Sequence, residues 1–260
     1  MPVCHVSDVV QVIESLAPTR LAEPWDNVGL LIGDPNEPVE RVLLTIDLGP
    51  AQLAEAAASR CQLIIAYHPP IFKGLMRLGP GVPAYDAVRA GIAVYSPHTA
   101  LDVAIGGTND TLAQQALGLT ECTPLKPHAD HPGGIGRVGV LSPPMTRPAL
   151  LQKIKRALGV EHVLVCGPTE GLVERAAVCA GACGDILHLA IEHQAQLYLT
   201  GELRHHDALI AARNNLTVVC ALHSNSERLM LPRLKQRLLT ALPHLETLIS
   251  QHDRDPFEIL

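Results

Sequence analysis

The sequence predicts an α/β fold made of two lobes, each with strands alternating with helices. Three observations carry this. Short apolar runs such as VLLTID (42–47), QLIIAY (62–67) and LTVVCA (216–221) recur along the chain. Segments with helical apolar spacing lie between them. The runs are continuous rather than alternating, the pattern of largely parallel sheets covered by helices. The chain has 260 residues, 47% apolar and 18% charged, so it can bury a full core and is not of disordered composition.

Ser7 reads as an N-cap, with Val9, Val10, Ile13 and Leu16 on one helical face and Pro18 beyond the end. VLLTID is a strand, and Gly49-Pro50 opens a helix with proline in its first turn. QLIIAY is the next strand. A helix over 86–90, a strand at 92–96 and a helix over 108–118 closed by Gly118 complete lobe 1, approximately 1–119. Residues 120–134, rich in Pro, Gly and His, read as a linker. Lobe 2, approximately 135–260, repeats the grammar. Its strands are at 136–141, 162–166, 176–181, 196–200 and 216–221, and its helices at 149–158, 184–194, 205–213 and about 224–242.

Composition limits the function classes. The net charge is −6 without a long Lys/Arg run, which disfavours general nucleic-acid or anionic-membrane binding. Aromatics make up 3%, which speaks against stacking platforms for single strands. The seven cysteines form no C-x-x-C pair and several lie in apolar runs, so a reducing cytoplasm and no disulfide framework are expected. The N-terminus lacks the pattern of a signal peptide, and no run reaches membrane-spanning length. No standard nucleophile motif appears. GACGD (181–185) joins a strand to a helix and reads as a tight turn.

Ligands in open α/β sheets bind beyond the carboxyl ends of the strands. His68 comes after QLIIAY, and His98 and Asp102 come after IAVYS. Glu202, His205 and His206 come after QLYLT, and His223 and Glu227 after LTVVCA. Four strands thus each deliver a histidine or carboxylate to the same kind of edge. His223 and Glu227, spaced i, i+4, share one helix face, and a nitrogen beside a carboxylate suits a divalent transition metal. Singly, each residue also fits a plain capping or hydrogen-bonding role; the joint recurrence points to a metal.

Several ordered stretches resemble the Nif-three-like dinuclear metal-centre proteins, also described as type 2 homologues of GTP cyclohydrolase I. They are EPWDNVGLLIG (23–33), TIDLG (45–49), IIAYHPPIF (64–72), YSPHTALDVAIGGTNDTLA (95–113), GGIGRVGVL (133–141), YLTGELRHHDAL (198–209), LHSNSER (222–228) and DPF (255–257). The resemblance implies a single domain over 1–260, with a metal cleft between two α/β lobes and assembly as a homohexamer. It implies two divalent ions per subunit (zinc, iron, manganese or cobalt) on His68, Asp102, His223 and Glu227. Many bacterial members have two consecutive histidines where this chain has Tyr67-His68. One metal position is thereby short of a nitrogen, with Tyr67 as a phenolate or His98 as the substitute. Glu202, His205 and His206 are candidates for supporting contacts or a general acid. The implied reaction is opening of the GTP ring with formate release. The alternatives are another nucleotide or phosphoester metallohydrolase, and a non-catalytic metal-binding scaffold or regulator working through protein partners.

Overall fold

The computed structural model describes residues 3–259. Met1, Pro2 and Leu260, the outermost residues of the domain expected over 1–260, lie outside them. In chain order the strands are β1 (Gly29–Ile32), β2 (Arg41–Thr45), β3 (Leu63–Ala66), β4 (Ala93–Ser96), β5 (Thr120–Thr123), β6 (Lys126–His128), β7 (His131–Ile135), β8 (Arg137–Thr146), β9 (Leu164–Cys166), β10 (Leu172–Ala182), β11 (Leu197–Glu202), β12 (Thr217–Cys220) and β13 (Glu246–Ile249). The helices are α1 (Val6–Leu16), α2 (Pro50–Ala58), α3 (Pro83–Ala90), α4 (His98–Val103), α5 (Thr108–Leu112), α6 (Arg147–Leu158), α7 (Leu187–Glu192), α8 (His205–Arg213), α9 (His223–Glu227) and α10 (Met230–Ala241). The architecture is α/β, as expected.

The chain divides into two compact units. Unit 1 is Met1–Leu101 with Leu231–Asp253, and unit 2 is Asp102–Met230 with Arg254–Leu260. The division falls within α4 and not in the 120–134 stretch, and most of α10 with β13 returns to unit 1. Residues 120–134 are not a linker. They form β5, which pairs with β8, and the β6–β7 hairpin. The glycines there serve close packing: a Cβ on Gly134 would collide with the Lys126 carbonyl oxygen.

Unit 1 is built on a five-stranded sheet of order β1-β4-β3-β2-β13. All its pairs are parallel except β1 with β4. Leu63, Ile64, Ile65 and Ala66 are all buried, which explains the unbroken apolar run of β3. Leu43, Ile64, Ala66 and Val94 pack with Leu53 and Ala56 of α2 and Ala87 of α3. Helix α1 begins one residue before Ser7. His5 is its cap, because the Asp8 carboxylate accepts from the His5 N–H at 2.8 Å, one half of a capping box.

Unit 2 carries a six-stranded sheet of order β5-β8-β10-β11-β12-β9. Here the expectation of a largely parallel sheet fails. Only β10–β11 and β11–β12 are parallel, while β5–β8, β8–β10 and β9–β12 are antiparallel. Both faces are buried. Ala176, Val178 and Ala180 join one core with Leu150 and Ile154 of α6, and Ala177 and Cys179 join the other with Leu187 and Ala190 of α7. The long terminal helix expected from about 224 is two helices, α9 and α10. Among the described residues no helix is long and apolar enough to cross a membrane.

Candidate metal centre

In unit 1 the register of the parallel strands aligns three functional side chains. Thr45 pairs with Ala66, and Ile65 pairs with Tyr95. Asp47, His68 and His98 each stand two residues past the end of β2, β3 and β4. His68 Nδ1 lies 2.8 Å from Asp47 Oδ1. His98 Nδ1 lies 2.8 Å from Oδ1 of Asp26, whose side chain is fully buried. A ring nitrogen donating to a carboxylate fixes the tautomer and leaves the lone pair on Nε2. Burial pushes the Asp26 carboxyl up, but hydrogen bonds from His98 and from the Thr99 side chain and N–H outweigh it, so its pKa stays below the usual value.

The Tyr67 ring is buried and edge-on to both imidazoles, with centroids 5.4 Å from His68 and 6.0 Å from His98. The two imidazoles are themselves 5.3 Å apart. His98 has φ +26°, an uncommon conformation for a residue with a side chain and one that clusters at functional sites.

In unit 2 the His223/Glu227 pair forms as the spacing predicts. His223 opens α9, with Nε2 3.4 Å from Oε1 of the buried Glu227. Its Nδ1 lies 2.8 Å from Glu202 Oε1 at the end of β11. Leu222, just before it, has φ +69°. Ser226 straps the turn: its hydroxyl donates to the His223 carbonyl at 2.6 Å and accepts from the Gly181 N–H at 2.8 Å. Gly181 lies in the irregularity of β10 between Cys179 and Ala182, at φ +73°. A Cβ there would stand 3.1 Å from Glu227 Oε1 and 3.3 Å from His223 Nε2. The glycine therefore keeps open the space in front of both donor atoms.

Asp102 is half-buried in α4, the first residue of unit 2, and its backbone carbonyl accepts from Asn109 Nδ2 at 3.1 Å. His205 and His206 open α8, both exposed, with rings 5.5 Å apart. Nitrogen and carboxylate oxygen donors are of the kind a divalent metal takes, and His68 and His223 each have a carboxylate partner of the kind that orients a metal-binding imidazole. Asp47 and Asp26 escape a reading of the sequence. Asp47 ends TID at the same sheet edge as His68, so extending the strand-end rule to β2 finds it. Asp26 gives no such signal, because it comes from a loop. Burial raises the thiols of Cys61 to about 11 and Cys220 to about 12, which agrees with the absence of a cysteine nucleophile motif.

A model of the family Duf34/NIF3 (NGG1p interacting factor 3) matches residues 4–256. The chain belongs to the Duf34/NIF3 family. Among its relatives, the NIF3-like protein 1 of Drosophila melanogaster is 37% identical over 257 residues, covering 95% of this chain and 87% of that protein. The Lactococcus lactis protein named GTP cyclohydrolase 1 type 2 homolog is 36% identical over 209 residues, covering 77% of this chain and 79% of its own length. The crystal structure of a Bacillus cereus protein related to NIF3 superposes over 100% of both chains with a TM-score of 0.93 at 22% identity. That likeness shows that this member has the NIF3 fold.

Proposed function

We propose that this chain is a metal-dependent hydrolase acting on a nucleotide, with His68, Asp102, His223 and Glu227 as metal ligands. His68, His223 and Glu227 are histidine and carboxylate donors of the kind that could hold such an ion. The single observation behind the proposal is His223, whose Nδ1 is held by Glu202 while Nε2 and Glu227 Oε1 both face the space that Gly181 leaves.

A divalent ion bound there supplies Lewis-acid catalysis and lowers the pKa of a water. The protein's part is to hold the donors. Asp47 and Glu202 orient the imidazoles of His68 and His223, and the carboxylates of Asp102 and Glu227 would supply oxygen donors to the metal. His205 and His206 are the candidates for delivering a proton to the leaving group. The relatives named GTP cyclohydrolase 1 type 2 homolog support GTP as substrate, with ring opening and formate release. Assembly as a homohexamer belongs to the same proposal.

Elemental analysis of protein purified without chelators tests the ligand set. About two equivalents of metal per chain, lost in His68→Ala/Glu227→Ala, is the expected result. One equivalent means that Tyr67 has cost a position, and none after adding zinc or manganese overturns the proposal. Assays with GTP then separate the reactions. Formate release supports the cyclohydrolase reading, phosphate release a phosphoesterase, and metal-loaded protein inert toward a nucleotide panel a scaffold.

A further inference from the structure

The chain contains one tryptophan and two phenylalanines in 260 residues. Trp25 and Phe72 come together in unit 1 with ring centroids 5.7 Å apart. Neither is core: Trp25 is 58% exposed and Phe72 46%. Both rings also touch His98, at 6.1 and 6.3 Å between centroids.

Their anchoring is dense. Asp26, next to Trp25, accepts from His98, Thr99 and the Asn27 N–H. Asn27 Nδ2 donates to the carbonyl of Ile71, the residue before Phe72. The Glu23 N–H donates to Thr99 Oγ1 at 3.0 Å. Each exposed ring is therefore within two residues of a hydrogen-bonded anchor and is preorganised, which lowers the entropic cost of binding a partner.

We infer that Trp25 and Phe72 form the base-binding wall of a nucleotide site, an assignment that deepens the proposed function and rests on it. Two planar aromatics beside imidazoles suit a flat heteroaromatic ring, and stacking on such side chains does not depend on which base is presented. The 5.7 Å separation leaves no room for a ring between them, since a sandwich needs two contact distances, about 7 Å. The base stacks on an outer face.

Charge supports the second half of the ligand. The stretch that Phe72 opens, FKGLMRLGP (72–80), carries Lys73 and Arg77 and no acidic residue, in a chain of net charge −6. Lys73 and Arg77 are both exposed. A planar ring with an anionic tail, a nucleotide, matches both features.

Trp25, as the single tryptophan, is its own probe. Titration of the full chain should show saturable quenching of its emission by GTP, weaker quenching by guanosine, and none by inorganic triphosphate. Phe72→Ala should weaken GTP binding roughly tenfold. Lys73→Ala/Arg77→Ala should bring GTP down to the guanosine level. Trp25→Ala, studied by calorimetry, should lose GTP binding while keeping its metal content. The titration is run on chelator-treated and metal-loaded protein, so quenching without metal supports this wall even where the metal proposal fails. Absent quenching in both forms, or equal quenching by triphosphate, overturns the inference. So does emission that shifts with protein concentration but ignores nucleotide, which would assign the patch to a second copy of the chain.

Discussion

Replacing Gly181 with alanine isolates the contribution of the open space beside His223. The backbone there is at φ +73°, and a non-glycine residue in that region costs about 1–2 kcal/mol. The added Cβ meets Glu227 Oε1 at 3.1 Å and His223 Nε2 at 3.3 Å, closer than ordinary contact. Neither neighbour is a loose chain end, since Glu227 is buried and His223 is held by Glu202. The methyl group therefore displaces the donors as well as covering them. Metal affinity should fall about 10- to 100-fold, the range seen when ligand orientation is disturbed. Gly159→Ala is the control: it has φ +67° but nothing within 4 Å of its Cβ, so it carries the backbone strain alone. Urea unfolding should show a loss in both variants, larger in Gly181→Ala by the cost of its tight contacts, while competition with a chromogenic chelator should show weakened metal binding only in Gly181→Ala. Metal binding by Gly181→Ala as tight as that of the Gly159→Ala control would refute the reasoning.

Glu202→Ala removes the carboxylate that orients His223, and metal affinity should drop about 10- to 100-fold with the far-ultraviolet dichroism unchanged. Arg137, buried, makes paired hydrogen bonds to Asp110 and also donates to the Gly134, Gly136 and Ala104 carbonyls. Arg137→Met strands the Asp110 charge and should cost about 3–5 kcal/mol in urea unfolding, part of it recovered by adding Asp110→Asn. Burial raises the Glu55 carboxyl, but hydrogen bonds from Gln251 and Ser250 and the neighbouring His252 outweigh it, so its pKa is lowered in the fold. A lowered carboxylate contributes stability above its unfolded pKa, about 4.3, and loses it as pH falls through the folded value. Unfolding midpoints of Glu55→Gln between about pH 6 and 3 should therefore decline less steeply than those of the unmodified chain.

The elements that bury both faces are the most legible in the sequence. β3 and residues 176–181 of β10 are continuous apolar runs because both of their faces are buried, and such runs have few other uses. β1 and β13 leave a fainter trace because each is four residues long and only partly buried, and their pairing partners are distant in sequence. Residues 120–134 mislead for a different reason. Glycine and proline signal turns in isolation, yet here the glycines allow backbones to meet, a property of the surroundings rather than of the stretch.

The sequence by itself determined the α/β class, the family, and which strands end in histidine or carboxylate. These are local properties, set by the apolar runs and by the residues immediately after each run. The i, i+4 pairing of His223 with Glu227 is local too, because one helical turn joins them. Tertiary structure alone decided which carboxylate holds each imidazole. Asp47 is 21 residues from His68, Asp26 is 72 from His98, and Glu202 is 21 from His223. Strand register or loop docking closes each of those gaps, and neither is written in any single segment. The same holds for Trp25 and Phe72. The hydrogen bond from Asn27 to the Ile71 carbonyl ties their two segments together across 44 residues of sequence, a contact that only the fold brings about.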